Sequence, residues 1–167
     1  MNVILCGMMG AGKTTVGIAL ATLLGWQWRD TDAVIEEKYG KISDIFATLG
    51  EPRFREMETE IVRELCPQED MIISVGGGLV LKEENVALLK ENGKIVYLRA
   101  RKETLLSRLR SDTSRPLLQG EESLEEKIER LLRTRASVYE SVADLIVDVD
   151  KKTPQEIAAE IVEKIKG

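Results

Sequence analysis

Eight consecutive residues near the start of the chain, Gly7-Met8-Met9-Gly10-Ala11-Gly12-Lys13-Thr14, satisfy every fixed position of G-x-x-x-x-G-K-[ST]. An apolar run precedes them and an amphipathic helical pattern follows, the context a phosphate-binding loop requires. Glycines let backbone N–H groups curl around a triphosphate without Cβ clashes, and the N-terminus of the following helix adds partial positive charge. Lys13 can reach the β- and γ-phosphates, and the Thr14 hydroxyl can ligate Mg²⁺. The pattern establishes a nucleotide site but not a reaction, since motors, switches and kinases all use it.

Further candidates follow other apolar runs. Asp30-Thr31-Asp32 spaces two carboxylates at i and i+2. One suits a metal-bound water and the other the proton of an acceptor hydroxyl, although Asp is also common in solvated turns. Gly76-Gly77-Gly78 sacrifices chain entropy, which a close backbone approach by a ligand would explain. Arg135 falls on the apolar stripe of its helix, three and four residues after Leu132 and Leu131. An inward guanidinium needs an anion, either a buried structural partner or a ligand. Arg55 has Glu51 at i−4 and Glu58 at i+3, so an intrahelical ion pair competes with a binding role. Two converging arginines would clamp a carboxylate bidentately. Arg115-Pro116-Leu117-Leu118 lies in a polar stretch that fits a lid closing over phosphates. Arg108, Arg110 and Lys152 are candidates to flank a purine, with a solvated surface as the alternative. Trp26, Trp28, Met8, Met9 and Cys6 read as packing residues.

The elements that must position these groups are legible from periodicity. Strand-like runs occur at Val3–Cys6, Trp26–Arg29, Met71–Val75, Ile95–Leu98 and Leu145–Val149. They show no in/out alternation, which suits parallel strands covered on both faces, with helices as crossovers. The first helix is expected to bury Val16, Ala19, Leu20, Leu23 and Leu24 and to end at Gly25. Another begins near Glu51-Pro52 with the stripe Phe54, Met57, Ile61 and Leu65. Capping boxes at Ser123/Glu126 and Thr153/Glu156 open two more.

Composition narrows the function. The 167 residues suit one domain, and 24 basic against 29 acidic residues give a net charge of −5. That balance argues against general nucleic-acid binding. There is no histidine, which removes Ser-His-Asp catalysis, His-ligated metals and a histidine pH switch. Cys6 and Cys66 have no C-x-x-C spacing, so neither a disulfide framework nor a zinc site is read from them. No apolar run approaches the roughly 18 residues of a membrane span. The expected setting is a reducing cytoplasm, without membrane or nucleic-acid partners.

Taken together in order and spacing, these motifs resemble the shikimate kinase family over essentially the whole chain. The matching pieces are Gly7 to Thr15, Asp30-Thr31-Asp32, Gly50-Glu51 with Phe54-Arg55 and Glu58, Gly76-Gly77-Gly78, Arg115-Pro116-Leu117-Leu118, and Arg135 four residues before Tyr139. The resemblance implies an α/β three-layer fold of the P-loop NTPase type, with a five-stranded parallel sheet of order 2-3-1-4-5. One domain would span 1–167, with a substrate-binding segment at about 32–60 and a lid at about 111–122. The implied reaction is ATP plus shikimate giving shikimate 3-phosphate and ADP, with Mg²⁺, in a monomer. Gly10, Ala11, Gly12, Lys13, Thr14 and Thr15 would hold ATP phosphates and Lys152 would lie by the adenine; Arg108 joins the nucleotide set, with the choice between Arg108 and Arg110 for the adenine left open. Thr14 and Asp30 would serve the metal. Asp32, Arg55, Glu58, Gly76, Gly77, Gly78 and Arg135 would bind the acceptor, and Lys13, Asp32 and Arg115 would be catalytic. The rivals are a gluconate-type or nucleotide kinase on the same scaffold and a non-catalytic nucleotide-dependent switch.

Overall fold

Strands rich in Val, Ile and Leu with no polar face must be sandwiched between helices, and the chain arranges them so. The structure, a computed structural model, describes residues 1–111 and 122–166. The elements in chain order are β1 (Asn2–Cys6), α1 (Lys13–Leu24), β2 (Gln27–Asp30), α2 (Thr31–Tyr39), α3 (Ile42–Thr48), α4 (Gly50–Leu65) and β3 (Met71–Ser74). A 3-10 turn at Leu79–Leu81 precedes α5 (Glu83–Glu91), β4 (Gly93–Arg99), α6 (Lys102–Ser111), α7 (Leu124–Val142), β5 (Leu145–Asp148) and α8 (Pro154–Lys166). The sheet is wholly parallel, in the order β2-β3-β1-β4-β5.

From β1 the chain moves one way across the sheet to reach β2, and every later step returns the other way. Right-handed crossovers therefore place α1 on one face and the helices of the β2–β3, β3–β4 and β4–β5 connections on the other. The reversal falls between β1 and β3, and the carboxyl ends of those strands open the crevice where ligands bind in such sheets. Register makes the crevice nearly level: Leu5 pairs with Ser74, and Ser74 pairs with Asp30. The last residues of β2 and β3 thus stand beside the penultimate residue of β1, which runs one residue further to Cys6.

Several local expectations hold. Ser123 Oγ accepts from the Glu126 amide and caps α7, and at Thr153 the full reciprocal box forms, Oγ1 accepting from the Glu156 amide and the Thr153 amide donating to Glu156 Oε1. Gly25 ends α1 with φ 71°. Phe54, Met57, Ile61 and Leu65 are all buried on α4. The inward face of α1 differs from its expected stripe: Val16, Gly17, Leu20 and Ala21 are buried, whereas Leu23 is 56% exposed. Small residues bring this helix close to the sheet, which rotates the contact face away from Leu23. The second strand also differs. It starts at Gln27, includes Asp30 and is only half covered, as an edge strand can be.

Gly17 explains that close approach. A Cβ there would lie 2.5 Å from Trp28 Nε1 and 2.9 Å from Ser74 Oγ. Trp28 Nε1 donates to Ser74 Oγ at 3.0 Å, and Ser74 Oγ donates to the Lys13 carbonyl at 2.7 Å. Trp28 is therefore more than packing, since its ring N–H belongs to the chain of bonds that seats the first turn of α1. Gly17→Ala forces the indole or the helix to move, and it should destabilise the chain by about 1–3 kcal/mol. Chemical denaturation checks this; an unchanged midpoint would show that the contact yields freely.

Candidate active site

The loop after β1 turns tightly under a helix N-terminus, as phosphate binding demands. Gly10 and Gly12 have φ of 84° and 101°, left-handed values that an L side chain rarely adopts. Gly12 is the N-cap of α1, with no side chain over the free amides of the first turn. Lys13 Nζ donates to the Gly7 carbonyl at 2.9 Å, holding the ammonium against the loop. The loop forms one wall of a cavity of about 570 Å³. Gly10, Gly12, Lys13, Thr14 and Thr15 line it, together with Asp30, Asp32, Ser74, Gly76, Gly77, Arg108, Arg135 and Lys152. A chain of net charge −5 thus collects four cations in one cleft.

Of the two arginines considered for the purine side, Arg108 reaches the cavity and Arg110 does not. Arg108 Nη1 donates to the Gly10 carbonyl at 3.1 Å, whereas Arg110 lies in a separate surface hollow with Glu103 and Leu106. The spacing on α6 explains the split, because two residues along a helix turn a side chain to a different face. Lys152 is on the cavity wall and is held by Glu160 at 2.8 Å. Arg115 and residues 112–121 lie outside the described residues.

Asp30 and Asp32 sit at the junction of β2 and α2 and do different work. Asp30 is the N-cap of α2: its Oδ1 accepts from the amides of Asp32 and Ala33 at 2.8 and 3.2 Å. The turn reading of Asp30 and its place on the cavity are therefore both correct. Asp32 points to Gly76, where a Cβ would meet its Oδ1 at 2.9 Å. Burial pushes the Asp32 carboxyl above its usual range, Asp30 adds to the rise and Lys13 opposes it. Thr31 between them is fully buried and accepts from the Gly76 amide at 3.1 Å, tying this turn to the glycine loop.

The three glycines share one property that explains the run. A Cβ on Gly76 would meet Asp32 and Glu58, one on Gly77 would meet Arg135 Nη1 at 2.9 Å, and one on Gly78 would meet Arg55 Nη2 at 2.6 Å. The sequence reading expects a ligand to approach this backbone closely; the groups pressed against it are the site's own charged side chains. Arg55 and Arg135, eighty residues apart in sequence, converge on adjacent peptide units. Glu58 braces Arg55, with Oε1 2.6 Å from Nη1, while Glu58 Oε2 is buried and has no hydrogen-bond partner among the described residues. Burial raises the Glu58 pKa, and the Arg55 hydrogen bond and charge oppose the rise. Arg135 has no ion pair among the described residues, so the structural ion-pair explanation for its inward position is not what the fold provides. Tyr139, one turn further along α7, donates to the Gly77 carbonyl at 2.6 Å.

A hydroxyl from Thr14 and carboxylates from Asp30 and Asp32 on one wall are the hard oxygen donors Mg²⁺ takes. No group of three or more His, Cys, Asp or Glu side chains able to hold a metal occurs among the described residues. A sparse donor set fits an ion that keeps waters and takes its remaining ligands from substrate phosphates.

A family model described as shikimate kinase matches residues 9–166. The chain belongs to the shikimate kinase family. It is 46% identical over 167 residues to a shikimate kinase of Moorella thermoacetica, covering 99% of this chain and 95% of that protein. It is 43% identical over 164 residues to one of Thermodesulfovibrio yellowstonii, covering 98% and 94%. The structure of shikimate kinase from Acinetobacter baumannii in complex with shikimate superposes with a TM-score of 0.91 at 39% identity, covering 99% of this chain and 92% of that one. The fold of a shikimate kinase, five parallel strands in the order 2-3-1-4-5, is the one built above. Among the described residues no helix is long and apolar enough to cross a membrane.

Several residues of this kinase cleft escape a reading by motif. Ser74, Thr31 and Tyr139 hold the loops through hydrogen bonds, and the motifs that contain Thr31 and Tyr139 assign them no such role. Tyr139 had a signal, since it lies one turn from Arg135 and is fully buried with a hydroxyl to satisfy.

Asp32 gives a pH-dependent test. An acid whose pKa rises on folding costs stability once it ionises, so stability falls as pH climbs from the unfolded value of about 4 through the folded one. Asp32→Asn should therefore be more stable than the parent at pH 7, with the difference closing as pH falls towards 4. Denaturant titrations across that range measure it, and equal midpoints at pH 7 would contradict the burial cost.

Proposed function

We propose that this cleft transfers the γ-phosphoryl group of ATP to the 3-hydroxyl of shikimate, with its acceptor half built from Asp32, Arg55, Glu58, the Gly76–Gly78 backbone and Arg135. The chain is a kinase that phosphorylates shikimate with ATP, a step of the shikimate pathway to chorismate and aromatic amino acids. The observation that carries the residue assignment is the convergence of Arg55 and Arg135 on Gly78 and Gly77, beside the phosphate loop. Planar guanidinium forks at one point suit the carboxylate of a small organic acid. Asp32, half-buried and close to the glycine backbone, holds the acceptor hydroxyl and takes its proton as the phosphoryl group leaves ATP.

The donor half is Gly10 to Thr15 around the triphosphate, with Lys13 on its outer phosphates and Arg108 and Lys152 flanking the purine side. Thr14 and Asp30 would hold Mg²⁺, which supplies neutralisation of phosphate charge. Phosphoryl transfer asks little covalent chemistry of the protein, so positioning and charge neutralisation do most of the work. Arg115 joins Lys13 in that role, an assignment that rests on the family resemblance. Glu58 Oε2, which has no hydrogen-bond partner among the described residues, gives the acceptor a polar contact at its ring hydroxyls, while Oε1 fixes Arg55 from behind.

A panel of acceptors with ATP and Mg²⁺ should show ADP release stimulated by shikimate and not by gluconate or nucleoside monophosphates; stimulation by either of the latter would overturn the acceptor assignment. Arg135→Ala removes a charge-assisted pair of about 1.5–3 kcal/mol, so the shikimate KM should rise by roughly 10- to 150-fold with little change for ATP. Steady-state kinetics in both substrates decide this, and a change confined to ATP would sink it. Asp32→Asn should abolish most turnover while ATP still binds, as read by kcat and by nucleotide titration.

A further inference from the structure

Behind the acceptor half lies a buried polar bridge that the reaction itself does not use. Thr59, one turn beyond Arg55 on α4, is 3% exposed, and Asn85 on α5 is 1% exposed. Polar side chains this deep must find partners. Thr59 Oγ1 donates to Asn85 Oδ1 at 2.8 Å and accepts from Lys82 Nζ at 3.0 Å. Asn85 Nδ2 donates in turn to the Leu79 carbonyl at 2.9 Å. Leu79 is the residue after Gly78, and Gly78 is where Arg55 closes on the loop.

These contacts form a ring: Arg55, along α4 to Thr59, across to Asn85, back to Leu79, and through Gly78 to Arg55 again. α4 and the glycine loop come from separate stretches of chain, and apolar packing between them would permit sliding. Directional bonds do not. We infer that Thr59 and Asn85 are positioning residues that set the gap between the Arg55 guanidinium and the Gly77–Gly78 backbone, and so tune the grip on the acceptor's carboxylate. The inference rests on the proposed placing of the acceptor between Arg55 and the glycines. The phosphate loop is not part of the ring, so the nucleotide should not sense its loss.

The test is steady-state kinetics in both substrates on the full chain. Thr59→Val keeps the shape and deletes the hydroxyl. It should raise the shikimate KM about 5- to 20-fold, the consequence of a lost buried hydrogen bond and a shifted loop, with the ATP KM within about twofold of the parent. Thr59→Ser should restore the shikimate KM, because it returns the hydroxyl. Asn85→Ser, which breaks the bridge from its other end with a small polar group, should reproduce the same split and serves if the valine variant does not fold. An unchanged shikimate KM with a lowered melting temperature makes the bridge merely structural and overturns the inference. So does a parallel rise in both KM values. A parent that fails to turn over shikimate refutes the acceptor placement itself, whereas normal parent kinetics with an insensitive Thr59→Val refute only the bridge.

Discussion

The pairing of β1 with β3 is the constraint on which the site depends. Leu5 lies beside Ser74 and Ser74 beside Asp30, so three parallel strands end within one residue of each other. The loops that leave those ends are the phosphate loop, the glycine triplet and the Asp30–Asp32 turn. A slip of one residue in β3 would move Ser74 from under the Lys13 carbonyl and turn each side chain of the strand to the opposite face. The Val75 amide, bonded to the Leu5 carbonyl at 3.1 Å, extends the pairing into the loop itself. Fold and chemistry therefore share one hydrogen-bond ladder.

The second constraint is electrostatic. Arg55, Arg135 and Lys13 face Asp32 and Glu58 in a cleft where burial pushes both carboxyls upward. Charges held this way are costly unless paired, and here the pairing is incomplete: Glu58 Oε2 has no partner among the described residues, and Arg135 has no ion pair there. Such a set is poised for an anionic, hydroxylated ligand to finish it. The glycine triplet makes that arrangement possible sterically, because each missing Cβ leaves room for one charged group.

How much of this was legible in sequence depends on the range of the interaction. The phosphate loop, the capping boxes and the α4 stripe are local patterns, set by helix and turn geometry within a few residues, and they read correctly. The sheet order and the shared role of Arg55 and Arg135 came through a family resemblance, since no local rule brings residues eighty apart together. Leu23 misled because helical periodicity marks an apolar face without saying which side the sheet will take; Gly17 decided that by admitting Trp28 and Ser74. Helices α2, α3, α5 and α6 carry weak or short stripes and were not resolved as separate elements. The roles of Thr59, Asn85, Thr31 and Ser74 were not legible because a polar residue's value here lies in a partner far along the chain.

The two halves of the cleft are fastened independently. Trp28, Ser74 and the Lys13 carbonyl seat the nucleotide loop on the sheet from the β2 edge. Thr59, Asn85 and the Leu79 carbonyl fasten the glycine loop to α4. The halves meet at Gly76, whose amide is held by Thr31 between the two aspartates. A kinase must hold donor and acceptor in line while allowing each to come and go. Separate anchors with a shared joint meet both demands: the Thr31 bond to the Gly76 amide holds the spacing where the halves meet, while each half keeps its own set of polar anchors.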